Sequence, residues 1–221
     1  MSAPAAAGAR TRNRRGEGAR LRGDILAAAT SLLDEHGTEE AVTLRAVARQ
    51  AGITAPSIYR HFADRQAILL GVVQDAFRDL ASTLEAASGA VRGADESPAV
   101  SRLVAVCQAY LDFADQQPKV YRLMFGGVWN AEQAVDDGSL TAQDASSLGT
   151  RALELLRGCL EDCVEAGRST STDPHGDAVA LWLGLHGLAS QRVASPAFPW
   201  PDGIEQRLVT SLARLAAAPA T

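Results

Sequence analysis

Between a few short patches rich in Gly and Pro, the apolar residues of this chain recur with the period of an α-helix. Ile25, Leu26, Ala29, Leu32 and Leu33 share one face, which predicts an amphipathic helix over Arg20 to His36 stopped by Gly37. Thr43 then opens a shorter helix that turns Leu44, Val47, Ala48 and Ala51 inward, with Gly52 as its stop. Ile53 and Thr54 make a tight connection to a third short helix, capped by Thr54, with Pro56 in the first turn and an end near His61 and Phe62. Asp64 caps a longer fourth helix whose apolar set runs from Ile68 and Leu69 through Val72, Val73, Ala76 and Leu80 to Leu84. That helix fades into a linker over Gly89 to Pro98, by composition the best candidate for a domain boundary.

Every later segment is again helical by its period: Ala99 to Gln116, Lys119 to Phe125, Leu140 to Ala166, Asp177 to Val193 and Asp202 to Ala217. No stretch alternates apolar and polar residues between hairpin turns, so the expected fold class is all-α. The first nineteen residues and the last few have no such pattern and are expected to be disordered.

Composition narrows the class. Of 221 residues 47% are hydrophobic and 21% charged, enough for a sizeable core and against disorder throughout. The longest apolar runs, such as Ala178 to Leu185, are far shorter than the ~20 residues of a membrane span. Ala3 to Ala9 is too short for a signal-peptide core, and the arginines follow it, so a cytosolic protein is expected. Three cysteines, an odd number, point to reduced thiols. The net charge of −5 is unevenly spread: residues 1–65 hold ten arginines against seven acids, a balance of +3, which leaves −8 on the remainder. A basic front on an acidic body suits a protein that meets a polyanion at one end only.

Two short helices joined by a Gly-containing turn and preceded by a basic arm make a helix-turn-helix. The second of them offers Thr54, Ala55, Ser57, Tyr59, Arg60 and His61, while Ile58 and Phe62, four apart, anchor it. Small side chains at its start admit the backbone to the major groove, where Ser and Thr bond base edges and Ala touches a thymine methyl.

The stretch from Thr43 to Leu70 (TLRAVARQAGITAPSIYRHFADRQAILL) closely resembles the DNA-binding signature of TetR-family transcriptional regulators, and the likeness covers about 50 residues from Arg20. It has the opening Thr, the Ala-Gly-Ile-Thr turn, the Tyr-x-His-Phe tetrad and a basic residue three after the Phe. Arg65 stands where Lys is commoner, and one Tyr follows Ile58 where many members have two aromatics. The resemblance implies phosphate contacts from Thr43, Tyr59, His61 and Arg65, and base-reading or groove-facing roles for Arg45, Thr54, Ala55, Pro56, Ser57 and Arg60. It also makes Arg12, Arg14 and Arg15 candidates for minor-groove or backbone contact from the arm. The domains it implies are a basic arm over 1–19, a DNA-binding domain over 20–66 and a regulatory and dimerisation domain over 67–217.

Past residue 90 the likeness is local. Pro118 to Phe125 (PKVYRLMF) and Leu181 to Leu188 (LWLGLHGL) resemble the TetR subgroup marked by a Trp-x-x-x-His-Gly element. The Trp182 helix is apolar nearly all round and must be buried, with Gly184 and Gly187 admitting a close neighbour. Ile204, Leu208, Leu212 and Leu215 form a single stripe on the last helix. The family joins its last two helices across a two-fold axis, which would use this stripe as a dimer interface; an intramolecular core contact is the other reading. Large or polar residues in apolar settings, Cys107, Tyr110, Phe113, Met124, Phe125, Trp129, Trp182 and His186, are candidates for a small-molecule pocket, each also readable as core. Trp129 sits in a Gly-Gly-Val-Trp-Asn segment that reads as a flap or a loop.

Cys159 and Cys163 share a helical face, but no His or Cys cluster lies near them, so they read better as small buried hydrophobes than as metal ligands. No metal and no cofactor are expected. An enzyme would need a phosphate loop, a nucleophile elbow or an His-Glu-x-x-His helix, and none occurs. The expected function is a ligand-responsive repressor that binds a palindromic DNA operator as a homodimer. A ligand-independent architectural DNA binder is the alternative, and a small molecule that releases DNA or raises the melting temperature separates the two.

Overall fold

The computed structural model describes residues 17–91, 97–126, 131–136, 138 and 140–216. Among these there are eleven helices and no strand beyond one isolated bridge between Ser169 and Leu215. No described helix is long and apolar enough to cross a membrane. The chain divides into two compact units, 1–69 and 70–221.

The first unit holds α1 (Glu17–His36), a 3-10 turn (Glu39–Ala41), α2 (Leu44–Gln50), α3 (Ala55–Ile58) and the first turn of α4 (Arg65–Ala90). Local chemistry sets each boundary. Gly37 and Gly52 take the left-handed backbone, φ +75° and +66°, that ends α1 and α2 without steric cost. The Thr43 hydroxyl accepts the Ala46 N–H at 3.1 Å, and the Asp64 carboxylate accepts the Ala67 N–H at 2.8 Å, capping α2 and α4. The core is Ile25, Leu32, Val42, Ile58, Ile68 and Leu69, all almost without exposure, and Phe62 closes it beneath the Arg22 guanidinium, 5.1 Å from the ring centre. α1 begins three residues before the expected Arg20, inside the segment expected to be disordered, because Glu17 to Ala19 continue its turns.

The second unit is built on α5 (Pro98–Gln116), α9 (Thr150–Glu165) and α10 (Pro174–Ala194), packed on one another, with α6 (Pro118–Phe125) on α5 and α11 (Ile204–Leu212) on α10 and α5. Leu103, Leu111, Leu160, Leu181 and Leu185 are among its largest fully buried side chains, and Ala76, Leu80 and Leu84 of α4 join the same core. Gly89 to Pro98 is therefore not the boundary: α4 runs on to Ala90, and the division falls at Leu69, within that helix.

Three other elements differ from the sequence pattern. The helix expected over Leu140 to Ala166 is broken into α8 (Ala142–Ser147) and α9, with Gly149 between them at φ +79°. A Cβ on Gly149 would meet the Phe77 ring at 3.1 Å, so a glycine both permits the break and admits the ring. A short helix, α7 (Ala131–Asp136), precedes α8. The last helix stops at Leu212 instead of Ala217, because Arg214 turns at φ +48° and the chain pairs back on 168–170: the Thr170 N–H donates to Arg214 O at 3.0 Å and the Ala216 N–H to Arg168 O at 2.9 Å. The Arg214 guanidinium is also paired with Asp177 at 2.8 Å.

Candidate DNA interface and small-molecule pocket

The face of the first unit that carries α3 is built by contrast in burial. Ile58 and Phe62 point into the core, while Thr54, Pro56, Tyr59 and Arg60 are exposed and Ala55, Ser57 and His61 are half-buried. Tyr59 is 61% exposed, an uncovered aromatic ring with a free path to solvent. Thr54 does not cap α3 through its side chain; its hydroxyl lies 2.9 Å from that of Ser57. Thr43 and Arg45, at the start of α2, are exposed as well. α2 is held to α1 by Gln50, whose amide donates to Ser31 at 3.1 Å and Glu35 at 3.3 Å. Rigid backing of this kind is what a DNA-reading helix needs.

Arg65 has carbonyl partners in its own unit. It is half-buried, and its Nε donates to Val42 O at 3.1 Å and its Nη2 to Glu39 O at 2.6 Å. The guanidinium thus ties the first turn of α4 to the 3-10 turn that leads into Thr43. Sequence reading found a basic residue there and had no signal for carbonyl partners 23 and 26 positions away. Arg49 and Arg20, exposed cations on α2 and α1, were not singled out. Arg12, Arg14 and Arg15 lie outside the described residues.

In the second unit the candidate residues separate into two groups. Cys107, Phe113 and Met124 are plain core, with Cys159 and Cys163. All three cysteines are free thiols. Burial pushes the Cys107 thiol far up and that of Cys163 up to about 11, so both stay protonated at neutral pH. Among the described residues no three His, Cys, Asp or Glu side chains gather as a metal site would require. Trp129 lies outside the described residues.

Tyr110, Phe125 and His186 instead gather around one residue that sequence reading passed over, Tyr121, and Trp182 packs on Phe125 and His186. The Tyr121 hydroxyl is 2.9 Å from that of Tyr110 and 2.7 Å from His186 Nδ1. Trp182 also hydrogen-bonds Tyr110, and Ser190 hydrogen-bonds Tyr121. Burial lowers the pKa of His186 and raises that of Tyr110 to about 12, so both are neutral near pH 7. Indole can only donate, so the Trp182 N–H donates to Tyr110, while the Tyr110–Tyr121 and Tyr121–His186 bonds run in either direction with the hydroxyl rotors and the imidazole tautomer. Phe125 packs on Phe77, Tyr121, Trp182 and His186, with ring centres 5.5, 4.9, 6.4 and 4.7 Å away. A cavity of about 260 Å³ lies beside Phe77, Leu80, Phe125, Leu148, Leu153 and Trp182.

The His186 arrangement has a pH consequence. A histidine whose folded pKa is lowered favours its neutral form in the native state, so its contribution to stability is full above the ordinary value of 6.5 and is lost as pH falls through that range. Thermal melts at pH 7.5 and 5.5 should show a larger loss for wild type than for His186→Asn. Equal losses would mean that His186 does not titrate in this window.

The first unit thus presents an exposed α3 face on a packed helical core, and the second holds a cavity of its own. Residues 25–72 match the model of the bacterial regulatory proteins of the tetR family, and residues 103–215 match the tetracyclin repressor-like C-terminal domain. The second match alone covers half of the chain, and the protein belongs to the TetR family. It is 29% identical over 114 residues to the HTH-type transcriptional activator FasR of Mycolicibacterium smegmatis, 52% of this chain and 49% of FasR. It is 28% identical over 152 residues to the HTH-type transcriptional regulator Rv1816 of Mycobacterium tuberculosis, 67% of this chain and 57% of that protein. The chain thus spans about half the length of the curated relatives it matches. Among solved structures, a protein of unknown function from Rhodococcus sp. RHA1 superposes with a TM-score of 0.69 at 25% identity, over 91% of this chain and 95% of that one.

Proposed function

We propose that this protein represses transcription in the cytoplasm as a homodimer on a palindromic operator, and that a small molecule bound in the second unit releases it. The observation that carries the DNA reading is α3: Ile58 and Phe62 are buried to lock it in place, while Thr54, Tyr59 and Arg60 are exposed among the described residues. Tyr59, Thr43 and His61 set register on phosphates; Arg45, Arg60, Ala55, Pro56, Thr54 and Ser57 face the groove. Arg65 acts as a positioning residue, through the carbonyls of Glu39 and Val42. One α3 reads too few base pairs for useful specificity, so two copies on a two-fold axis are needed. Phe77 and Leu80, which line the cavity, belong to the same helix as Arg65, and that continuity supports coupling between ligand and DNA. The role requires neither catalysis nor a cofactor.

Selection of bound sequences from random duplex DNA tests the reading: a palindrome should be recovered, and a failure to enrich any sequence would sink it. On that operator Ser57→Ala and Arg45→Ala should each cost about 1–3 kcal/mol and cost much less on random DNA. Tyr59→Ala should weaken both alike, because a phosphate contact holds no sequence information. The gel-shift titration that measures these also assigns the two classes.

A further inference from the structure

We propose that the ligand of the second unit is an uncharged compound the size of two fused rings, which enters between α4 and the α8–α9 junction, past the ring of Phe77. The proposal rests on the ligand-responsive reading above and names the chemistry and the entrance of that site. Two spaces meet at this ring. The inner one, about 260 Å³, has Leu80, Phe125, Leu153 and Trp182 on its walls. The outer one, about 270 Å³, has Arg78, Asp144, Ser147 and Arg151 at its mouth, all exposed, so it reaches water. Phe77, Leu148, Gly149 and Ala152 line both spaces and form the partition. Within it the Phe77 ring lies against the backbone of Gly149, where a Cβ would stand 3.1 Å from it. Phe77 is half-buried, and its far side meets the Phe125 ring edge-on at 5.5 Å. One change of the Phe77 rotamer would therefore join the two spaces, with no hydrogen bond to break.

Size, shape and charge follow from the inner walls. A dry apolar cavity of about 150 Å³ admits benzene, so one of about 260 Å³ admits two fused rings. Phe77, Phe125 and Trp182 stand at steep angles to one another, 83° for the first pair and 54° for the second. They present ring faces and edges in several directions, and a flat aromatic ligand gains edge-to-face or offset contacts there that an alkyl chain does not. The described inner walls are apolar apart from Thr150, which is exposed, and the Trp182 indole N–H is taken up by Tyr110. A charged group in this space would give up its water to carbon walls. The charges at the mouth are held in pairs, Arg151 with Glu85 and Arg78 with Asp75, on the side of the partition that faces water.

Calorimetry on the full chain with naphthalene, 2-naphthoate and 1-nonanol tests the chemistry, and stopped-flow fluorescence with naphthalene tests the entrance. Naphthalene should bind at least tenfold more tightly than 2-naphthoate and at least fivefold more tightly than 1-nonanol. Phe77→Ala should speed naphthalene association by tenfold or more, although it removes a ring contact and so weakens the complex. Phe77→Leu serves in its place if the alanine variant does not fold. Gly149→Ala should slow association, because its Cβ leans on the ring. A ring that is wall and not door would behave otherwise: its loss would speed dissociation and leave the association rate unchanged. That result overturns the proposal, as does 2-naphthoate or 1-nonanol binding as tightly as naphthalene. The reading beneath it fails separately: naphthalene that binds with these dependences but leaves the operator bound keeps the site and removes its regulatory role. A different ligand that releases operator while naphthalene does not bind does the reverse.

Discussion

Leu183→Glu is expected to leave the protein monomeric in sedimentation and to weaken operator binding by about 100-fold or more. The reason lies in the two faces of α10. Ala178, Leu181, Leu185 and Leu188 are buried, whereas Ala180, Leu183, Gly187 and Ala194 follow one another on the opposite side at helical spacing. Leu183 is 54% exposed there, a large apolar side chain that the described residues leave uncovered. A Cβ on Gly187 would meet no atom within 4 Å, so the backbone at that point is open to a neighbouring helix. A two-fold axis would bury Leu183 twice, and a carboxylate in its place would lose its water twice, at a cost of several kcal/mol. The stripe Ile204, Leu208, Leu212 and Leu215 is a poorer place to test the interface, because all four pack on the core of their own chain. Leu212 and Leu208 fill the space over Gly184, where a Cβ would come within 2.7 and 3.0 Å of them, so a charge at either would disturb the monomer first. The intramolecular reading of that stripe is therefore part of the truth, and Leu183 is the cleaner probe. A Leu183→Glu variant that sediments as a dimer would place the interface elsewhere.

What the sequence made legible follows the range of the interactions that set each feature. The caps at Thr43 and Asp64 and the stops at Gly37 and Gly52 each depend on residues a few positions away, and all four fall where the pattern put them. The period of 3.6 likewise gave the buried faces of α1 and α4, because a face is a property of one helix. Features that depend on a distant partner were not legible. Gly149 interrupts a run that reads as one helix, and its reason is the ring of Phe77, more than seventy positions earlier. Tyr121 sits among the apolar residues of a short helix and looks like core until Tyr110 and His186 are found at its hydroxyl. Leu183 reads as one more buried residue of an apolar helix, since periodicity is weak when both faces are apolar. Arg214 ends the last helix because residues 168–170 wait beside it, a pairing that local sequence does not encode.

Arg65 is the same lesson at the DNA interface, and it gives the second large effect. Arg65→Ala should weaken binding to operator and to random DNA alike, by about ten- to a hundredfold, while the slope of log affinity against log salt stays as in wild type. The side chain donates one proton each from Nε and Nη2 to Val42 O and Glu39 O, at 3.1 and 2.6 Å, and hydrogen bonds from a charged donor are worth about 1.5–3 kcal/mol each. Without them the 3-10 turn loosens ahead of Thr43, and the cap of α2 and the approach of Thr43 and Arg45 to DNA are no longer held. The number of cations meeting phosphates is unchanged, and that number sets the slope. Arg65→Lys makes the distinction sharp, because an ammonium keeps the charge but is a compact group without the planar fork that spans two carbonyls. It should recover only part of the affinity and lower the melting temperature nearly as much as alanine does. A phosphate contact would behave otherwise: Arg65→Ala would lower the salt slope by about one, and Arg65→Lys would restore both slope and affinity. That pair of results would return Arg65 to the phosphate-binding set and leave its carbonyl bonds a secondary role.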